Sequence, residues 1–360
     1  MKSFVHVTQP QRVEFGWGSL DRLPELVDAL GLKRVLVLST QEQRGLGERV
    51  QNLLGARAVG LFSEAVMHVP VAVVDRALVL ANKVQADACV AVGGGSTLGL
   101  GKGMALNSSL RLVAVPTTYA GSEMTPLYGL TQGGEKQTGR DWRVLPLSVL
   151  YDPELSRTLP HAMTMASALN AMAHAAEALY GENASPVHQL MAQEGLRAMG
   201  QALATLEHDL DDSQGRSDAL YGAWLCGAVL GQVQMGLHHK LCHSLGGWFD
   251  LPHAELHALL LPYSLAYNSP MIEPALRRMQ QALGCDDVPA YFYELRRRLG
   301  LPESLAQLGM RELNAPVLAE KLMAAPYPNP RALQADGLIA LLEDAFAGRK
   351  PTQTKMVPSC

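Results

Sequence analysis

Cysteine is scarce in this chain and poorly placed for cross-linking. Cys89, Cys226, Cys242, Cys285 and Cys360 are odd in number, scattered and without CxxC spacing. That excludes a disulfide framework and a zinc knuckle, and fits the reduced thiols of a cytoplasmic protein. Charge is modest as well: 18% of residues are charged and the formal net charge is −4. With no basic run, nothing supports a nucleic-acid surface. A long apolar run is also missing. The most apolar helical stretch, Ala219 to Leu237, is interrupted by Gly231, Gln232 and Gln234, and reads as a buried helix rather than a membrane span. The opening Met1-Lys2-Ser3-Phe4-Val5-His6 lacks the apolar core of a signal peptide. No low-complexity linker or internal repeat interrupts the chain.

What is present suffices for a large core. With 360 residues, 48% of them hydrophobic, about two domains are expected. The first half alternates helical periodicity with short apolar runs: Arg34–Ser39, Ala58–Phe62, Ala88–Val92 and Leu112–Val115. Each run has the length of a strand buried on both faces, and the alternation predicts a mostly parallel sheet covered by helices. After Leu147–Pro153 the strand patterns stop. Pro160 opens one helix, Ala166 to Tyr180 forms a second and Pro186 to Leu206 a third, and further helices follow Pro274, Pro289 and Arg331. The predicted organisation is an α/β domain over 1–155 and an all-helical domain over 156–360.

Two loops of the first half carry binding chemistry. Gly93-Gly94-Gly95-Ser96 follows a strand and precedes a helix from Leu98 to Leu106. Glycines let a backbone approach a phosphate closely, the helix N-terminus offers free N–H groups, and Ser96 can cap the helix and donate to the phosphate. The competing reading is a tight turn that binds nothing. The next strand ends in Pro116-Thr117-Thr118-Tyr119-Ala120-Gly121-Ser122-Glu123-Met124-Thr125. Such a hydroxyl-rich loop at a strand's carboxyl end sits where open α/β sheets bind ligands.

The second half concentrates imidazoles. Five of the eleven histidines, His238, His239, His243, His253 and His257, fall between Gly236 and Asn268. His239 and His243 share a helix face. Ser244-Leu245-Gly246-Gly247 is expected to break that helix, and His253 returns just after Pro252. The group lines a pocket or a metal site; taken one at a time, each histidine also reads as a surface or hydrogen-bonded core residue.

Together, Gly93–Ser96, Pro116-Thr117-Thr118 with Gly121-Ser122-Glu123, and the histidine stretch resemble the iron-containing (group III) alcohol dehydrogenases. The likeness runs from Phe15-Gly16-Trp17-Gly18 to Asn329-Pro330-Arg331. It implies the fold shared with dehydroquinate synthase: an N-terminal dinucleotide-binding α/β domain and an all-α C-terminal domain, with the active site in the cleft between them. Carried over, Thr40, Gly93, Gly94, Gly95, Ser96, Thr117, Thr118, Ser122, Thr125 and Lys136 bind the dinucleotide. Thr40 stands where NAD-specific members often place an aspartate, so both NADH and NADPH are expected.

Metal-dependent members hold a divalent ion through an aspartate and three histidines, which match Asn170, His174, His239 and His253. The aspartate is replaced by a neutral amide, so the site is degenerate and no metal is expected. Met67–Val71, Thr138-Gly139-Arg140-Asp141 and His238–His243 resemble a branch that reduces the double bond of an unsaturated keto-dicarboxylate in aromatic-ring catabolism. Hydride adds to the alkene, charge develops on the ketone oxygen, and an acid protonates carbon. His243 is the leading acid and His253 the second. His239 and His253 are also pocket donors, with His174 a further catalytic candidate, and neutral or protonated imidazoles would suffice. Lys240 is first choice for the dianion, with Arg140 and Arg143 as further candidates. Tyr119 donates to a carboxylate or packs. The partners expected are a small dicarboxylate and a second copy in a homodimer. The alternatives are a metal-dependent alcohol or polyol dehydrogenase, a dehydroquinate synthase-like lyase, and a nucleotide-binding protein without catalysis.

Overall fold

Short apolar runs become the strands of a parallel sheet in a computed structural model that describes residues 4–133, 135–324 and 327–351, with backbone alone at 135 and 136. The chain divides into two compact units. One comprises Thr8–Leu159 with Asp211–Leu220; the other comprises Met1–Val7, Pro160–Leu210 and Tyr221–Cys360.

The α/β unit is built on strands β1 (Arg12–Phe15), β2 (Val35–Leu38), β3 (Ala58–Phe62), β4 (Ala88–Gly93), β5 (Arg111–Pro116) and β8 (Ser148–Tyr151). Their spatial order is β1-β8-β5-β4-β2-β3, and every pairing is parallel. All residues of β2, β4 and β8 are buried, as expected of strands covered on both faces. Helices α1 (Leu23–Ala29), α2 (Arg44–Leu54), α3 (Val71–Lys83) and α4 (Gly95–Leu106) belong to the same unit. The chain steps outward from β2 to β3, returns to β4 on the far side of β2, and then moves away to β5. The order therefore reverses between β2 and β4, and ligands bind at the carboxyl ends of strands flanking such a reversal.

Two strand features escape the sequence pattern. β1 has one buried residue, Glu14, and shows no apolar run. β6 (Leu127–Gln132) and β7 (Glu135–Arg140) form an antiparallel hairpin whose glycines and charged residues blur the strand signal.

The helical unit contains α5 (His161–Ala178), α6 (Pro186–Leu206), the second part of α7 (Ser213–Gln232), α8 (Leu237–Phe249), α9 (His253–Asn268), α10 (Glu273–Leu283), α11 (Val288–Arg298), α12 (Ala315–Met323) and α13 (Ala335–Ala347). From Leu256 to Asn268 every residue of α9 is buried. A helix apolar on all sides sits inside a domain, and α9 packs against α5, α8, α11 and α13.

Three expectations are corrected here. The apolar stretch 219–237 is not one helix: α7 ends at Gln232, and Leu237 starts α8. Pro160 and Ala166 do not open separate helices, because α5 runs unbroken. Gly246-Gly247 does not stop α8, which continues to Phe249 and ends at Asp250 in the left-handed region, φ 53°. Each glycine costs a helix about 1 kcal/mol against alanine, and burial of Leu241, Cys242 and Leu245 on the same helix outweighs that.

Candidate active site

In the α/β unit the two predicted loops lie side by side. Gly93 and Pro116 are register partners, and the Thr117 N–H donates to the Gly93 carbonyl at 3.1 Å. Gly93 has φ +153°, and a Cβ there would stand 2.4 Å from Thr97 Oγ1; at Gly94 it would meet the Thr118 methyl at 2.9 Å. Gly95 is different, with nothing within 4 Å of that position. The N-cap of α4 is Gly94, without a side-chain cap. Ser96 therefore lies within the first turn and does not cap the helix, contrary to expectation, and the first-turn N–H groups face outward without side-chain partners from the cap. Across the reversal, Thr40 Oγ1 accepts from the Gln43 N–H at 3.3 Å, and Gln43 Nε2 donates to Thr117 Oγ1 at 3.0 Å.

The hydroxyl loop is held from below by Lys102 of α4, which is 1% exposed. Its ammonium donates to the carbonyls of Ser122, Thr125 and Leu127 at 2.6–2.9 Å and to the hydroxyls of Ser122 and Thr125 at 3.1 and 2.9 Å. Burial draws the amine down to about 7, with Glu123 pulling it back up. Ser122 and Thr125 thus bond inward to Lys102. Tyr119 is also turned inward: it is fully buried, and its hydroxyl meets Arg216 Nη1 at 3.2 Å and Ser156 Oγ at 3.5 Å. That is packing. Arg143 is engaged by Asp141 at 2.7 Å and by the Leu106 carbonyl at 3.0 Å, and Arg140 is exposed on β7. The Lys136 side chain lies outside the described residues.

The imidazoles of the helical unit sort by depth. His174, His238, His239 and His257 are buried, whereas His243 and His253 are exposed and stack on each other at 6.2 Å. α5 places Asn170, His174 and Glu177 along one face. Glu177, 1% exposed, caps the uncapped start of α8 from another helix. Its carboxylate accepts from the backbone N–H groups of His238 (2.9 Å) and His239 (3.3 Å) and from His239 Nδ1 (2.5 Å). Burial would raise its pKa, but the His239 contact and charge, together with His238, hold it below the ordinary value.

His239 Nε2 then meets His174 Nδ1 at 2.9 Å. On the other side His238 Nε2 meets His257 Nδ1 at 3.0 Å, and His238 Nδ1 meets Ser264 Oγ at 3.1 Å. Burial, then the neighbouring imidazoles, pulls His238 down to about 3 against the opposing pull of Glu177, and burial likewise holds His257 well below its ordinary value. Lys240, between the two imidazole positions of α8, has its ammonium 5.7 Å from the Tyr327 ring centroid.

The nitrogens of His174, His239 and His257 lie within 4.8 Å of one another. Asn170, 2% exposed, has an Oδ1 without a hydrogen-bond partner among the described residues. Three imidazoles and an open position make up the donor set of a catalytic zinc site, and a carboxylate behind a ligating histidine is its usual support. These residues fit a divalent ion. The expectation of a metal-free site, drawn from Asn170 and from the resemblance to a metal-independent branch, is not supported. His238 and His257 were counted in the histidine cluster but given no role, while Glu177 and Ser264 were missed; Glu177 left one trace, its place a helical turn beyond His174.

Both parts of the chain match known families: residues 10–153 match the model described as iron-containing alcohol dehydrogenase, and 164–346 the C-terminal model of the Fe-containing alcohol dehydrogenase family. A maleylacetate reductase of Burkholderia cepacia is 54% identical over 98% of this chain and 100% of its own length. The crystal structure of maleylacetate reductase from a Rhizobium species has a TM-score of 0.94 at 48% identity, covering 98% of this chain and 100% of that one. A 1,3-propanediol oxidoreductase superposes with a TM-score of 0.88 at 26% identity, covering 96% of this chain and all of the other.

Proposed function

We infer that this chain, which belongs to the iron-containing alcohol dehydrogenase family, reduces the carbon–carbon double bond of maleylacetate to give 3-oxoadipate. Identity above half to a maleylacetate reductase along the whole chain carries this reading. Hydride passes from the reduced nicotinamide to the alkene carbon β to the ketone, and the π pair moves onto the ketone oxygen as an enolate. A proton then adds to the carbon between them. One NAD(P)H and one proton are consumed, and NAD(P)⁺ and 3-oxoadipate are released.

Gly93, Gly94, Gly95 and Ser96 receive the pyrophosphate at the start of α4, where N–H groups and the helix dipole favour an anion. Thr117 and Thr118 flank it and Lys136 completes the nucleotide side, while Ser122 and Thr125, bonded to Lys102, hold the loop in place. Thr40 offers no carboxylate to repel a 2′-phosphate, so NADH and NADPH both serve. His243 delivers the proton, with His253 second; as exposed imidazoles they exchange protons with solvent, which the buried rings cannot. Lys240 faces a substrate carboxylate. His174, His239 and His257 would hold a divalent ion, which when bound supplies Lewis-acid polarisation of the ketone oxygen. Glu177 keeps His239 in one tautomer and orientation. The assembly proposed is a homodimer of the 38.8 kDa chain, checked by light scattering.

The test is oxidation of NADH, and separately of NADPH, followed spectrophotometrically with maleylacetate and with a panel of short alcohols and aldehydes. Turnover of maleylacetate with both nucleotides is expected. Activity confined to the alcohols would overturn the reading, and rejection of NADPH alone would overturn the role given to Thr40.

A further inference from the structure

Between α12 and α13 the chain runs past the start of α8 as Tyr327-Pro328-Asn329-Pro330-Arg331. This segment is stiff before it touches anything. Each proline fixes its own φ, and Tyr327 and Asn329, each preceding a proline, are biased to extended backbone. Contacts with α9 then pin it. Asn329 and the fully buried Asn268 exchange amide hydrogen bonds at 3.0 and 2.8 Å. The Arg331 guanidinium stacks 4.4 Å from the centroid of the Tyr267 ring and donates to the Tyr267 carbonyl at 2.7 Å. The Tyr267 hydroxyl in turn donates to the Ala332 carbonyl and accepts from the Gln334 N–H, both at 3.0 Å. On its other side the segment lies so close to the N-cap of α8 that a Cβ on Gly236 would stand 2.6 Å from the Pro328 carbonyl.

What this mount presents is the ring of Tyr327. Lys240, half-buried in the first turn of α8, places its ammonium 5.7 Å from the centroid of that ring, within reach of a cation–π attraction. Among the described residues the ammonium makes no hydrogen bond and no ion pair. The Tyr327 hydroxyl is buried and has no partner among the described residues either, so the ring face carries the contact. A lysine side chain has much rotamer freedom to lose on binding a ligand. A carboxylate beside it would remove that freedom and cancel the charge together. An aromatic face removes part of the freedom and leaves the charge in place. We propose that Tyr327 is a positioning residue for capture of the dianion: its ring, mounted on residues 327–331, holds the Lys240 ammonium where a substrate carboxylate meets it. The proposal rests on the role given above to Lys240.

The full chain is assayed for NADH oxidation across a range of maleylacetate concentrations, with melting temperatures taken alongside. Tyr327→Leu should raise the KM for maleylacetate about two- to fivefold, the size of one cation–π contact at a partly exposed site, and keep kcat and the KM for NADH. Tyr327→Phe restores the ring and with it the KM; losing an unpartnered buried hydroxyl leaves the melting temperature unchanged or higher. Lys240→Met should raise the same KM about tenfold or more, and adding Tyr327→Leu to it should raise the KM no further. That double variant separates a contact with Lys240 from a general loss of packing. Arg331→Met loosens the mount and spares both ring and ammonium, so it decides the matter by the same rise in KM if Tyr327→Leu fails to fold. An unchanged KM in Tyr327→Leu or its substitute, a Tyr327→Phe variant no better than Tyr327→Leu, or additive effects in the double variant overturns the proposal. An unchanged KM in Lys240→Met removes the role of Lys240 and this proposal with it, while the reductase reading stands or falls on turnover by the wild type.

Discussion

Gly95 separates binding from folding more cleanly than any other residue of the glycine turn. A methyl group there meets no protein atom, whereas at Gly93 and Gly94 it meets Thr97, Gln43 and Thr118. Gly95→Ala should keep the wild-type melting temperature and raise the KM for NADH about tenfold or more, roughly 1.4 kcal/mol of lost binding; an unchanged KM would remove the turn from the nucleotide site. Among the histidines, His243→Asn should lower kcat about 10²–10⁴-fold, the range of a lost general acid, with His253→Asn losing less. Full activity in His243→Asn would place the acid elsewhere. Which of five clustered imidazoles face inward was not legible in the sequence. The four-residue spacing puts His239 and His243 on one face, yet depth along that face buries the first and exposes the second. His238 and His257 look like ordinary apolar-face histidines until the Ser264 hydroxyl is seen beside them.

Elements with strong periodicity were legible, and those held by tertiary contacts were not. The buried apolar runs of β2, β4 and β5 and the helix α6 stand in the sequence plainly. β1 and the β6–β7 hairpin do not, because partners rather than propensity make them strands. α8 passes through two glycines for the same reason. The hydroxyl loop is a further case, fastened to α4 by Lys102, a lysine that reads in the sequence as one more helix residue.

That buried amine gives stability a pH dependence. Below about 7 it is protonated in the folded and the unfolded chain alike; between about 7 and 10.5 only the unfolded chain holds the proton. The folded state binds fewer protons there, so stability rises with pH across the window, by at most about 1.4 kcal/mol per unit. The five oxygens around the ammonium work against this, so the figure is an upper bound. Urea midpoints taken stepwise across the window should climb in the wild type relative to Lys102→Met; parallel profiles would contradict the assignment.

At the scale of the whole molecule, the chain divides into two compact units, one with the glycine turn and one with the imidazoles. Among the described residues no helix is long and apolar enough to cross a membrane, and the charge of −4 leaves capture of a dianion to local groups, the role proposed above for Lys240. What separates this chain from alcohol dehydrogenases of the same fold is the bond it reduces, and isotope tracing reads that directly. Maleylacetate is turned over with NADH deuterated at the transferred position, and the product is examined by NMR. The account predicts 3-oxoadipate with its ketone intact and one deuterium on the carbon β to it. A product bearing deuterium on a carbinol carbon, with the alkene retained, would contradict it.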